Sequence, residues 1–197
     1  MADVEDIVER VIRGYDEALN FSTMPTWADA MLMFEYLDDF DDLDDDELID
    51  TLARLAGYSY KDFKRIWGSL SDKEKNEALA EIEYRIAVLG FKELLKGIST
   101  DLYIMENKEM REKILDIAKK YVNGEIDLHD FAVGLEDILW PSEKDKEDYK
   151  DVIMDYWDGV ALTDYIEEDK VKAMVKEYLI EELEAIGSTP GLGEPGP

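Results

Sequence analysis

The chain has 197 residues, with 50 Asp or Glu against 22 Lys or Arg, and its formal net charge is −28. This excess of negative charge excludes direct binding to a nucleic-acid backbone or to an anionic membrane, because both would repel the protein. The chain has no Cys and a single His, His129, which excludes disulfides, thiolate metal sites and any mechanism that needs two imidazoles.

The spacing of apolar residues predicts helices from the start of the chain. Because 46% of the residues are hydrophobic, we expect a folded protein with a buried core rather than a disordered one. Apolar stripes at i, i+3, i+4 and i+7 predict a first helix over residues 4–15 and a second over residues 27–37. Asp44 with Glu47 predicts a capping box for a third helix, which we expect to end at Gly57.

The central part of the chain carries clear helix start signals. Ser59 predicts the beginning of a short helix, and Ser71 with Glu74 predicts a capping box for a long one. We expect the long helix to stop at Gly90 and to be followed by a short helical turn over residues 91–96.

The C-terminal part is also expected to be helical. Three helices are each predicted to begin at a capping residue: Asn107, Asp127 and Ser142. A last long helix follows Thr163, and residues 187–197, rich in Gly and Pro, predict a flexible tail. No segment alternates with period 2, so the sequence predicts an all-α fold, an irregular bundle of about nine or ten helices.

The negative charge is concentrated at the two ends of the chain. Residues 1–56 have a net charge of −14, residues 57–124 of +1, and residues 125–197 of −15. A neutral middle between two acidic ends indicates a specialised surface rather than uniform acidity. We predict an acidic-then-neutral helical region over residues 1–110, an acidic helical region over 111–186, and the tail.

The first candidate partner-binding segment is residues 38–50, in which nine of thirteen residues are acidic. If helical, it would span about 18 Å, or roughly one charge per 2 Å, close to the ~1.7 Å per charge of duplex DNA. Such a segment would offer a phosphate-like row to a basic surface; the alternative is a solvated acidic loop. The candidate residues are Asp38, Asp39, Asp41, Asp42, Asp44, Asp45, Asp46 and Glu47.

The second candidate lies in residues 143–169, where aromatic residues are interleaved with acidic ones. Helical spacing predicts that most of these rings belong to the core. Trp157, which lies between Asp155 and Asp158, is the candidate for an exposed anchor, since aromatic residues often dominate binding energy. The candidate residues are Asp148, Asp151, Asp155, Trp157 and Asp158.

Carboxylate spacing leaves one enzymatic alternative open. Glu-x-x-Glu spacing, found in magnesium-dependent all-α nucleotide pyrophosphohydrolases, occurs at two places: Glu106, Glu109 and Glu112, and Glu181 and Glu184. Among 50 carboxylates this spacing is expected by chance. An EF-hand reading around Gly124 would put Lys119 at the first ligand position, so we do not expect a calcium site. We predict a non-enzymatic protein without metal or cofactor.

A characteristic run in the second half of the chain is Ile117-Ala118-Lys119-Lys120-Tyr121-Val122-Asn123-Gly124-Glu125-Ile126, followed by Phe131, Leu139 and Trp140. On these residues, the region 112–186 resembles the colicin D-type bacterial immunity proteins. This resemblance implies a small acidic helical protein that blocks the basic active site of a tRNA-cleaving toxin. Trp67-Gly68-Ser69-Leu70-Ser71 precedes a predicted long helix, and Asn107-Lys108-Glu109-Met110-Arg111 comes after it. On these residues, the region 63–124 is similar to helical-hairpin repeats of the HEAT kind, which implies stacked helices.

These observations predict a non-enzymatic inhibitor that mimics nucleic acid and blocks a nucleic-acid-handling protein. Antirestriction, anti-CRISPR and toxin-immunity proteins share that physics. The expected partner is a basic protein surface on a nuclease or other nucleic-acid-binding effector, with no direct contact to nucleic acid or membrane. The alternative is a helical scaffold or adaptor whose acidity serves solubility. We expect a cytoplasmic location, since the N-terminus lacks a signal-peptide pattern and no apolar run reaches ~20 residues.

Overall fold

The computed structural model describes residues 3–20 and 43–188, and this part of the chain contains ten helices and no strand. The predicted all-α fold is therefore confirmed. The first nine helices are α1 Val4–Asn20, α2 Asp46–Ala56, α3 Tyr60–Gly68, α4 Asp72–Ser99, α5 Leu102–Glu106, α6 Lys108–Val122, α7 Leu128–Leu139, α8 Glu143–Asp148 and α9 Lys150–Ala161. A 3₁₀ turn, Leu162–Tyr165, leads to α10, which consists of Glu168–Val175, a π-helical stretch Lys176–Ile180, and Glu181–Ser188.

Most of the predicted helix ends are confirmed, because short polar side chains and glycines satisfy the free backbone groups there. The caps at Ser59, Asn107 and Asp127 accept a backbone N–H, and Ser71 and Ser142 form reciprocal capping boxes with Glu74 and Asp145. Gly57 and Gly124 end their helices with φ near 80°, a left-handed conformation that costs glycine little.

The predicted stop at Gly90 is wrong, since α4 continues through Gly90 and Gly97 to Ser99. The residues beyond Gly90 maintain a buried apolar face through Phe91, Leu94 and Leu95. A glycine inside a helix costs only about 1 kcal/mol relative to alanine, which the burial of these side chains outweighs.

Two further boundaries differ from the prediction. The helix predicted to begin at Ser142 is broken at Tyr149, where φ is −110° and ψ is 22°, so that α8 and α9 are separate. The last helix begins after Glu167 rather than directly after Thr163, because the 3₁₀ turn intervenes.

The chain divides into two compact units, residues 1–90 and residues 91–197. In the first unit α1 packs against α2, and α2 against α3. A Cβ on Gly14 would lie 1.7 Å from the Leu55 carbonyl oxygen, so only glycine allows α1 and α2 this close approach. Arg85 of α4 and Glu9 of α1 form an ion pair of 2.6 Å. The core of this unit includes Ile7, Val11, Tyr15, Leu52, Phe63, Trp67, Ile82 and Ile86.

In the second unit α6 packs against α7 and against all three stretches of α10. The rings of Tyr121 and Phe131 stack at 5.1 Å between α6 and α7. Leu94 of α4 lies beside Gly159 of α9, where an added Cβ would come within 3.0 Å of the leucine side chain. The Tyr156 hydroxyl of α9 donates a 2.7 Å hydrogen bond to the Ala132 carbonyl of α7.

Three predictions lie wholly or partly outside the described residues: the second apolar stripe over residues 27–37, residues 38–42 of the acidic segment, and the tail beyond residue 188. The division at residue 110 and the HEAT-like stacking stay predictions. No helix in the described part of the chain is long and apolar enough to cross a membrane.

Candidate partner-binding surface

The acidic segment around residue 44 is described from Leu43 onward, and there its carboxylates bind the protein's own chain. Asp38, Asp39, Asp41 and Asp42 lie outside the described residues. Asp44 accepts a 2.6 Å hydrogen bond from the Lys75 ammonium, whose side chain is only 8% exposed. The neighbouring Asp45, rather than the predicted Asp44, caps α2 by accepting the N–H groups of Glu47 and Leu48. The cap therefore lies one residue later than predicted, and Asp44 binds Lys75 instead.

Asp46 binds two residues of α3. It accepts hydrogen bonds from the Tyr60 hydroxyl at 2.6 Å and from the Lys64 ammonium at 3.3 Å. These two donors hold the pKa of Asp46 below its usual value, and Asp46 in turn raises the pKa of Tyr60. The Trp67 indole N–H also donates to the Leu43 carbonyl oxygen at 2.7 Å. The described end of the acidic segment is therefore fastened to α3 and α4.

The second acidic region presents its carboxylates differently. Asp151, Asp155 and Asp158 share one face of α9 by their 4-residue and 3-residue spacing, and Asp148 ends the adjoining α8. We call these four residues the acidic row. Asp148, Asp151 and Asp158 are exposed, and no ion pair within residues 3–20 and 43–188 involves any of the three. Their charge is directed to solvent.

Apolar side chains accompany the acidic row. Met154 is 62% exposed on the same face of α9, and Tyr149, at the junction of α8 and α9, is 51% exposed. The predicted anchor Trp157 is half-buried, with its ring 5.5 Å from Tyr156 and 6.3 Å from His129. Tyr149 and Met154 therefore offer more surface to a partner than Trp157 does.

A groove of about 400 Å³ opens beside Tyr149 in the second unit. Its aromatic walls are Tyr103 of α5, Trp140 at the end of α7, and Tyr149 itself, with Asp101 and Asp145 at its edge. We call it the aromatic groove. The remaining lining is apolar: Ile104, Met110, Leu139 and Pro141.

A buried arginine holds one wall of the aromatic groove in place, and a buried tyrosine packs against the other. Arg111 of α6 is 3% exposed and donates to the carbonyl oxygens of Ile104 and Met105, which fixes the five-residue helix α5. On the opposite wall the Trp140 ring meets Tyr156 edge-on at 5.7 Å. Burial raises the pKa of Tyr156 above its usual value, and its hydroxyl donates to the Ala132 carbonyl oxygen.

The sequence did not identify Asp101, Tyr103 or Met154 as site residues. One signal for α5 was available, since Leu102, Tyr103 and Ile104 are three consecutive apolar residues after the capping Asp101. Three adjacent positions on a helix cannot all face one core, and the structure leaves Leu102 71% and Tyr103 65% exposed.

The candidate metal ligands are not brought together. Among residues 3–20 and 43–188, no group of three or more His, Asp or Glu side chains is arranged to hold a metal ion. Glu109 pairs with Lys113 at 3.3 Å, and Glu184 with Lys119 at 3.4 Å.

These features rest on the geometry of this chain alone: no family model, no curated protein and no solved structure matches it.

Proposed function

We propose that this protein is an acidic helical binding protein whose acidic row contacts a basic surface on a nucleic-acid-handling protein and blocks it. The observation that carries the proposal is the exposure of Asp148, Asp151 and Asp158 without ion pairs in the described part of the chain. By contrast, Asp44 and Asp46 bind lysines of their own unit. Charge that is not satisfied internally is available to a partner.

The geometry of the acidic row supports competition with a nucleic-acid strand. At ~1.5 Å per residue, Asp151 and Asp158 are about 10 Å apart along α9, with Asp155 between them. The row therefore carries one carboxylate per ~5 Å of helix, against one phosphate per ~3.4 Å along a DNA strand. A basic groove that follows phosphates would meet charges of the same sign, at intervals about one and a half times as long as those along a DNA strand.

Tyr149 and Met154 add a contact that charge alone does not supply. Tyrosine buries a large ring and keeps a polar tip, and methionine adapts its shape to a partner surface. Because both are exposed within or beside the acidic row, they would retain part of the binding when salt screens the carboxylates.

Nuclease-toxin immunity, antirestriction and anti-CRISPR proteins are the inhibitor classes that fit this physics. The resemblance to immunity proteins covers residues 112–186, which include the whole acidic row, and favours a nuclease as the partner.

A scaffold or adaptor remains the second candidate, and one observation favours it. Asp44, Asp45 and Asp46 are all used within the first unit, for one ion pair, one helix cap and one tyrosine–lysine contact. Part of the acidity therefore stabilises the fold and needs no partner.

The test is capture of partners from a lysate of the native host on three forms of the protein. The wild type is compared with Asp148→Asn/Asp151→Asn/Asp158→Asn, and with a control that loses the same charge in the first unit, Asp72→Asn/Glu77→Gln/Glu81→Gln. The control residues are exposed and make no ion pair within the described residues.

We expect the wild type and the control to capture a nucleic-acid-binding protein from the lysate. The acidic-row variant should not capture it. Salt should elute it, since the screening length shortens to about 3 Å at 1 M, and added duplex DNA should displace it. Partners that all three forms retain in high salt, and that DNA does not displace, would support the scaffold and contradict the inhibitor.

A further inference from the structure

We infer that the aromatic groove receives an arginine side chain from the basic partner. This inference rests on the proposed function, because it assigns a specific anchor to the partner that the acidic row attracts. The acidic row and the groove meet at Tyr149, which follows Asp148 and also lines the groove.

The chemistry of the lining favours a cation with a flat, weakly hydrated head. Tyr103, Trp140 and Tyr149 provide three aromatic rings, and Asp101 and Asp145 provide negative charge at the edge. Guanidinium groups stack on aromatic faces and form paired hydrogen bonds with carboxylates, whereas a lysine ammonium is a compact and strongly hydrated charge.

Both edge carboxylates keep acceptor capacity for a ligand. Asp101 accepts the N–H groups of Tyr103 and Ile104 through Oδ1 alone, and Asp145 accepts the Ser142 N–H through Oδ2 at 3.4 Å. Within residues 43–188 the second oxygen of each carboxylate accepts no hydrogen bond. A guanidinium in the groove would satisfy those oxygens.

Among the described residues, no lysine or arginine lines the groove. An adjoining cavity of about 300 Å³ shares Met110 and Pro141 with it and contains Lys113, which is paired with Glu109 at 3.3 Å. Lys146, in the same helix as Asp145, is bound to Asp137 at 2.7 Å. The groove therefore remains negative and complementary to a cationic segment.

Binding there would require little rearrangement. Arg111 fastens α5, and the contact between Tyr156 and Trp140 steadies the opposite wall. A site whose walls are fixed before binding avoids part of the entropy cost of ordering side chains.

The test uses two synthetic peptides of equal charge, acetyl-Gly-Arg-Gly-Arg-Gly-Arg-Gly-amide and its counterpart with lysine in place of arginine. Affinity is measured by calorimetry, and the contacted residues are identified from chemical-shift changes of the Tyr and Trp ring signals. The variants are Tyr103→Ala and Tyr149→Ala. Leu102→Ala is the control, since Leu102 precedes Tyr103 on α5 and is also largely exposed but does not line the groove.

We expect the arginine peptide to bind more tightly than the lysine peptide and to shift the signals of Tyr103, Trp140 and Tyr149. Each tyrosine variant should weaken its binding by about fivefold, the size expected for a cation over one aromatic face, and the control should bind as the wild type does.

Failure of the inference and failure of the proposed function give different results. Equal affinity for the two peptides, unchanged by either tyrosine variant but lost with Asp148→Asn/Asp151→Asn/Asp158→Asn, would overturn the groove and leave the acidic row intact. Binding that depends on the tyrosines and not on the acidic row would support the groove and contradict the proposed function. Peptide binding that neither the tyrosine variants nor the acidic-row variant changes would overturn both the inference about the groove and the proposed function.

Discussion

Asp44 and Asp46 of the first unit and Asp151 and Asp158 of the second are all aspartates on the protein surface, yet their carboxylates have different partners. The side chains of Asp44 and Asp46 are 70% and 72% exposed and nevertheless bind Lys75 and Lys64. Asp151 and Asp158 make no ion pair within the described residues. Exposure and charge density alone do not identify a binding surface; what each carboxylate already binds distinguishes the two regions.

Of the changes that distinguish the two acidic regions, Asp44→Asn should cause the largest loss in the free energy of unfolding. It would leave the Lys75 ammonium, whose side chain is 8% exposed, without its carboxylate. We expect a loss of about 1–2 kcal/mol in the free energy of unfolding, measured by urea denaturation followed by circular dichroism. Lys75→Met should cost less, since it removes the buried charge as well. An equal or larger loss with Lys75→Met would show that the lysine stem, not the ion pair, matters.

The next largest loss of stability should come from a change in the residues that support the aromatic groove. Tyr156→Phe removes the hydroxyl that donates to the Ala132 carbonyl, which should cost about 1 kcal/mol. Tyr121→Phe is the matched control, because the buried Tyr121 hydroxyl has no hydrogen-bond partner among the described residues. The control should be as stable as the wild type or more stable. Thermal unfolding of the two variants and the wild type measures both effects. A loss for Tyr121→Phe as large as that for Tyr156→Phe would contradict the role of the hydrogen bond to Ala132.

Acid should weaken the first unit in a defined direction. Hydrogen bonds from Arg85, Tyr60 and Ser71 hold the pKa values of Glu9, Asp46 and Glu74 below their usual values. A carboxyl with a lowered folded-state pKa stabilises the protein above its unfolded pKa, about 4, and this stability is lost as the pH falls through the folded value.

At pH 6 the midpoint of urea unfolding should therefore be higher for the wild type than for the triple variant Glu9→Gln/Asp46→Asn/Glu74→Gln. The difference between the two midpoints should shrink as the pH approaches 3. A difference that stays constant over this range would mean that these carboxyls act through packing and not through charge.

The smallest effect on stability is expected in the acidic row. Asp151→Asn/Asp158→Asn should change the free energy of unfolding by no more than about 0.5 kcal/mol, as is usual for exposed residues without a structural partner. The same urea denaturation gives the value. A loss above 1 kcal/mol would assign these carboxylates to the fold and remove the contrast with Asp44.

Local signals predicted the helices well, and long-range contacts explain what they missed. The capping pair Ser71 and Glu74 and the helix end at Gly57 each act within one helical turn, so both can be identified from the sequence alone. Asp45 caps α2, whereas the predicted cap Asp44 binds Lys75, 31 residues further along the chain. No local pattern contains that contact.

The sequence indicates one part of the candidate surface, the acidic residues 148–158, whose role in binding stays a prediction. The aromatic groove joins α5, α7 and the α8–α9 junction, and no spacing rule relates Tyr103 to Trp140 and Tyr149. Their proximity depends on the packing of α6 against α5 and α7, which periodicity does not specify.

The most direct test of the contrast between the two acidic regions is a titration of the ¹⁵N-labelled protein with decalysine, followed residue by residue through the amide signals. We predict that the largest shifts fall on residues 148–158, diminish with added salt, and spare residues 43–47. Shifts centred on residues 43–47, or spread evenly over every exposed carboxylate, would contradict the account.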